Sequence, residues 1–121
     1  MITGDQIAAH LVGDYILQSH WMATEKTRRN IAAALHVSAY MLPFLLLRPS
    51  PLALAFIAGS HFVIDRWRLA RFVVWAKNGM RGPVTATGYP EDIPAWLSVW
   101  LLIAADNTMH ILCNGFALTF L

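Results

Sequence analysis

Four apolar stretches separated by short polar breaks organise the chain. The first runs from about Ile7 to Ala23 and is interrupted by His10, Asp14, Gln18 and His20. The charged segment 25–30 separates it from the second, Ile31 to Leu47, which carries Pro43 in its outer half. Arg48-Pro49-Ser50-Pro51 reads as a tight turn, with Pro51 suited to the first turn of a following helix. The third stretch begins near Leu52 and continues through His61, Asp65 and three arginines to about Ala76. Residues 78–92 hold Gly79, Gly82, Pro83, Gly88 and Pro90, a loop composition, and the last stretch is Ile93 to Leu121. Spans near 20 residues match a hydrocarbon core of about 30 Å at a rise of about 1.5 Å per residue. Backbone polar groups in lipid must be satisfied within the segment, so the spans are helical. The pattern predicts an all-α, polytopic membrane protein, a bundle of about four transmembrane helices. No repeat or linker divides residues 1–121, which read as a single helical transmembrane domain.

Composition sharpens this picture. Hydrophobic residues make up 57% and charged residues only 13%, about half the usual charged share; mean hydropathy is +0.49. Disorder is excluded by the apolar content; so few charges cover a water-facing exterior poorly, which leaves a soluble helical bundle with an unusually apolar core as the lesser alternative. Cys113 is alone, which excludes a disulfide-stapled scaffold. The arginines form no stripe with interleaved aromatics, so nucleic acid is not an expected partner. The N-terminal residues lack a basic region and include Asp5, which predicts that no signal peptide is cleaved there. With four spans, Lys26, Arg28, Arg29, Arg66, Arg68, Arg71, Lys77 and Arg81 fall on one side and only Arg48 on the other. That bias makes the basic side cytoplasmic and places both termini outside.

Ionisable groups inside spans are costly and face the bundle interior, where they have partners or a task. Here they are patterned. His10 and Asp14, His36 and Tyr40, His61 and Asp65, and Asp106 and His110 are each four residues apart; Gln18 and Asn114 extend two of these stripes by four more. Residues at i and i+4 share a helix face, so every span offers one polar stripe. Asp14, Tyr40 and Asp106 sit at similar depth. Asp65 joins that layer only if the third helix continues to about Ala76 with its arginines reaching toward the headgroups.

Imidazoles and carboxylates converging in a helical bundle make a metal site. The candidate ligands are His10, Asp14, His36, His61, Asp65, Asp106 and His110. Nitrogen and oxygen donors without thiolate suit a divalent ion, zinc first, with manganese or iron as alternatives. Seven donors exceed what one zinc takes from protein, so either two metals bind or some Asp residues orient a His ring. Such a centre can activate water for hydrolysis, with Asp14 or Asp65 as general base and Tyr40 or Arg66 stabilising developing negative charge. For any one pair alone, polar glue between helices is the simpler reading; the set points to a site. The arginines 66, 68 and 71 read first as a cytoplasmic anchor and second as a grip on phosphate or a lipid headgroup.

His10-Leu-Val-Gly-Asp14-Tyr-Ile-Leu-Gln18, Trp21-Met22, Lys26, His36, Ser60-His61-Phe-Val-Ile-Asp65 and Asp106-Asn-Thr-Met-His110 together resemble a family of small bacterial and phage membrane proteins, the domain of unknown function 3307. The resemblance covers nearly the whole chain. It implies a small multi-span membrane protein, often phage-encoded, with no established activity; the expected location is the bacterial inner (cytoplasmic) membrane. The family's usual Asp-Gln pair is Asp106-Asn107 here, which removes no candidate ligand. Two functional expectations follow. One is a metal-dependent hydrolase of a lipid or lipid-linked phosphate. The other is a non-catalytic phage or bacterial membrane protein, serving envelope modification, homo-oligomeric assembly or superinfection exclusion, in which the His/Asp pairs are structural. A proton or metal-ion path ranks third.

Overall fold

Local sequence rules place the helix starts. A computed structural model describes all residues, Met1–Leu121, and contains only helices and connections. Helix α1, Gly4–Leu11, begins where the Thr3 hydroxyl accepts from the Gln6 amide, and it runs on into a wide π turn, Val12–Ile16. After a break at 17–19, Ser19 caps the short α2, His20–Glu25. Helix α3 is Asn30–Leu45 and includes Pro43. Ser50 accepts from the Ala53 amide and Pro51 occupies the first turn of α4, Pro51–Trp67. Helix α5 is Leu69–Lys77, and α6 is Ala95–Phe120.

The all-helical expectation holds; the expected set of four spans does not appear as four helices of spanning length. Only α6 is long and apolar enough to cross a bilayer by itself. The first stretch stops being helical after Ile16, which gives about 20 Å of helix, and α3 provides about 24 Å. The third stretch breaks at Arg68, whose backbone is left-handed (φ 52°, ψ 51°), and resumes as α5. The expectation failed because apolarity persists through 17–23 and 69–76 while the backbone turns: hydropathy does not register a cap or a left-handed residue.

Helix α4 packs on both α3 and α6, α1 packs on α3 and α6, and α5 packs on α6. The core mixes apolar and polar positions. Ala9, Tyr40, Phe44, Ala53, Ile57 and Ala117 form an apolar cluster. The remaining buried positions include Gln6, His10, Asp14, His36, His61, Asp65, His110 and Asn114. The outside is the reverse: Leu46 is 83% exposed, Ile16 74%, Phe120 72%, Trp96 70% and Trp100 68%.

The two ends of the bundle differ. At one end the N-terminal amine contacts the Thr119 hydroxyl and Ser50 Oγ donates to the Leu121 carbonyl at 2.8 Å. At the other, the Arg66 guanidinium donates to the carbonyls of Thr27 (2.6 Å) and Arg28 (3.2 Å) and to Asn30 Oδ1 (2.7 Å). Arg68 reaches the Ala86 carbonyl at 3.0 Å, tying the 78–94 loop to the same end. Gly88 in that loop has φ +79°, and a Cβ there would lie 2.2 Å from the Arg71 carbonyl oxygen. Gly88→Ala is therefore expected to strain the backbone and push the loop off α5, destabilising the protein by about 1–3 kcal/mol; thermal unfolding of the purified variant measures it.

Candidate metal centre

Four buried ligand atoms from three helical segments converge at mid-bundle. His36 comes from α3, His61 and Asp65 from α4, and Asp14 from the π turn that continues α1. His36 Nε2 and His61 Nε2 lie 2.9 Å apart. Asp14 Oδ1 lies 3.2 Å from the first and 3.3 Å from the second, while Asp65 Oδ2 lies 3.0 Å and 3.1 Å from them. Zinc binds His nitrogen and carboxylate oxygen at about 2.0–2.1 Å, and the edge of a tetrahedron is about 1.6 times that, or about 3.3 Å. The five spacings, 2.9 to 3.3 Å, are those of donors arranged around one small cation.

The hydrogen-bond inventory agrees. Asp14 Oδ1 is buried within reach of two imidazoles yet makes no hydrogen bond, and Nδ1 of His36 and of His61 is likewise without a partner. Buried polar atoms are rarely left this way without a reason. A ligand set explains it for the oxygen: lone pairs aimed at a common centre serve an ion better than one another.

The π turn and a glycine make the arrangement possible. A π turn carries i→i+5 bonding, here Leu17 N to the Val12 carbonyl at 3.0 Å, and re-aims the residues it contains. Asp14 sits in that turn. Beside it, Gly13 lies against Tyr40 so closely that a Cβ would be 2.4 Å from Tyr40 Cδ2. Tyr40 is fully buried, and its ring stacks on His61 with centroids 3.7 Å apart. Its hydroxyl accepts from Asn114 Nδ2 at 2.7 Å and pairs with His10 Nδ1 at 2.9 Å.

The remaining expected residues fall into place around this group. His110 and Asp106, on α6, approach the other oxygen of Asp65: His110 Nε2 is 3.4 Å from Asp65 Oδ1 and 3.5 Å from Asp106 Oδ2. His10 stands beside the cluster, with Nε2 2.6 Å from Asn107 Oδ1 and Nδ1 3.4 Å from Asp14 Oδ2. Tyr40 supports His61 from behind. Arg66 is engaged with backbone carbonyls at the bundle end and does not line the adjoining cavity. His20 is exposed, away from the cluster.

Sequence reasoning did not single out Lys26 as a site residue. Its ammonium lies 2.8 Å from Asp65 Oδ2 and 3.5 Å from His36 Nε2. A cavity of about 170 Å³ opens next to it, lined by Lys26, Asp65, Arg68, Arg71 and Asp106 among others, with Ala70, Leu102 and Ile103 as its apolar wall. Arg71 Nε is buried without a partner. Gln6, which the His/Asp spacing does not pick out, donates to the Ile111 carbonyl at 2.7 Å and ties α1 to α6. Its position one turn before His10 was the available signal.

Two variants separate the ring from the hydroxyl of Tyr40. Tyr40→Phe keeps the stack and removes two hydrogen bonds, for an expected loss of about 1–2 kcal/mol in thermal or chemical unfolding. Gly13→Ala forces the ring away from its place over His61 and is expected to cost more, about 2–4 kcal/mol, because overpacking and lost stacking add.

No curated protein and no solved structure matches this chain. The family model described as a protein of unknown function, DUF3307, matches residues 2–114, nearly the entire chain. The sequence motifs that carry the His/Asp cluster lie within that match, and the chain belongs to the DUF3307 family.

Proposed function

We propose that the protein is a lipid-embedded, divalent-metal hydrolase acting on a lipid or lipid-linked phosphate ester, with zinc as its first candidate ion. The observation that carries the metal reading is the spacing of Asp14 Oδ1, Asp65 Oδ2, His36 Nε2 and His61 Nε2, which matches the edges of a zinc tetrahedron.

Placement in lipid is supported by the inverted polarity of the bundle. Four of its five histidines and the carboxylates of Asp14 and Asp65 are buried, the remaining charged residues lie mostly at the bundle ends and in the 78–94 loop, and the outer faces carry Leu, Ile, Phe and Trp. Only 11% of the most apolar window of α6 is buried, whereas a core helix of a water-soluble fold is mostly covered. Helix α6 crosses by its own length. Helices α1, α4 and α5 pack beside it, α4 and α5 forming one apolar stretch kinked at Arg68, and α3 packs on α4. The bundle end holding Lys26, Arg66 and Arg68 is the cytoplasmic side in this reading, with both termini opposite.

The choice of phosphate follows from the cavity. Lys26, Arg68 and Arg71 give it positive charge, Asp65 and Asp106 connect it to the ligand cluster, and Leu102 and Ile103 continue onto the apolar helix. Guanidinium and ammonium groups recognise phosphate oxygens through charge-assisted hydrogen bonds. In the reaction the oxygen of an activated water bonds to phosphorus and its proton passes to a cluster carboxylate, of which Asp106 faces the cavity. The ester P–O bond then breaks, and the departing oxygen takes that proton back from the carboxylate, so that the alcohol leaves neutral and phosphate remains.

A second reading rests on the same tetrahedron. Four protein donors around one ion make a closed site, the arrangement of a structural metal. In that case the protein is a non-catalytic membrane component, alone or as a homo-oligomer, and the centre holds α1, α3 and α4 together.

Detergent-purified protein is expected to contain stoichiometric metal by plasma mass spectrometry and to lose it in His61→Ala. Chelation should abolish phosphate release from a phosphatidate substrate, zinc should restore it, and Arg71→Gln should raise KM about tenfold. Stoichiometric metal without turnover selects the structural reading; no metal after reloading removes both.

A further inference from the structure

The Asp65 carboxylate faces two directions. Its Oδ2 belongs to the tetrahedral group, 3.0 Å from His36 Nε2 and 3.1 Å from His61 Nε2. Its Oδ1 faces away, 3.4 Å from His110 Nε2, which in turn is 3.5 Å from Asp106 Oδ2. We propose that this second group binds its own divalent ion, bridged to the first through Asp65, and that this second ion is the reactive one. The inference rests on the metal reading above and adds to it where water and phosphate would meet.

Three independent features support the second ion. The spacings of 3.4 and 3.5 Å again suit donors about 2.1 Å from a shared centre. His110 is 1% exposed, and neither of its ring nitrogens has a hydrogen-bond partner, although Nε2 points into the carboxylate pair. An imidazole buried without any partner is costly, and coordination through Nε2 answers half of that cost. Finally, the two oxygens of one carboxylate hold a pair of ions at about the 3.5–4 Å separation that two-metal hydrolytic centres use.

The two sites differ in openness. The first has four protein donors and no face on the cavity except Asp65. The second has three donors, and both of its carboxylates line the cavity that holds Lys26, Arg68 and Arg71. Sites that act on substrate keep a coordination position open for water, and sites that only hold structure fill all four. Charge points the same way. With histidines neutral, Asp14, Asp65 and Asp106 against Lys26 leave two negative charges. One divalent ion neutralises them, and a second leaves the centre two positive charges to meet a phosphomonoester dianion.

Titrating Mn²⁺ into metal-stripped, detergent-purified protein tests this. Wild type is expected to bind two equivalents and to show a spin-coupled manganese pair by electron paramagnetic resonance. Asp106→Asn and His110→Ala are each expected to bind one equivalent and show only the uncoupled signal. The retained equivalent reports that the variant is folded and that the first site is intact. One equivalent in both wild type and Asp106→Asn overturns the second ion and leaves the first site standing. No binding by wild type overturns both. Two equivalents without spin coupling overturn the Asp65 bridge.

Discussion

Asp65 is the group on which the rest of the bundle depends. Its carboxylate is 5% exposed and meets Lys26 after α2, His36 on α3, His61 on its own helix and His110 on α6. A carboxylate cannot be buried in an apolar bundle without compensation, because losing hydration costs several kcal/mol even after relaxation. The compensation here is distributed: the end of α2, α3, α4 itself and α6 each supply a donor or a cation. The arrangement fixes how the helices are oriented about their own axes, since rotation of any one would bury a charge against lipid-like side chains.

That constraint also explains the departures from regular helix. Asp14 must reach the same point as His36 and His61, and the π turn at 12–16 brings it there while Gly13 lets Tyr40 pass close by. Tyr40 then supports the face of His61 and anchors His10 and Asn114 through one hydroxyl. At the charged end, the left-handed backbone at Arg68 ends α4 three residues after Asp65, so Arg68 and Arg71 turn toward the cavity rather than continuing along the helix. A left-handed non-glycine residue costs about 1–2 kcal/mol, and it lies next to the candidate site, where such strain is commonly found.

The spacing of His and Asp made most of the cluster legible. His61–Asp65 and Asp106–His110 lie on regular helix, and their four-residue separation places both members of each pair on the inward face, as expected. His10–Asp14 obeys the same spacing, yet only Asp14 enters the tetrahedral group, because the helix changes its winding between them and Asn107 holds the His10 ring. Arg66 and Arg68 are two residues apart and read alike in sequence. The left-handed break at Arg68 separates them: Arg66 reaches the carbonyls of the 27–28 turn, and Arg68 lines the cavity. Lys26 stands in the sequence as a basic residue of a charged break and as one position of the family pattern, but nothing local records that this break folds over Asp65.

The sequence by itself determined the helical class, the four apolar stretches, the inward polar stripes and the gathering of basic residues at one end. These follow from periodicity and composition, which act over one or two helical turns. Tertiary structure decided how far each helix extends, which carboxylate is shared and which cations face it. Those depend on contacts between residues 30 to 100 positions apart, such as Tyr40 with His10 and His10 with Asn107. They also depend on single backbone choices at Gly13 and Arg68 that carry no hydropathic signal. Pattern fixes which side chains must be hidden together; only packing fixes which of them touch.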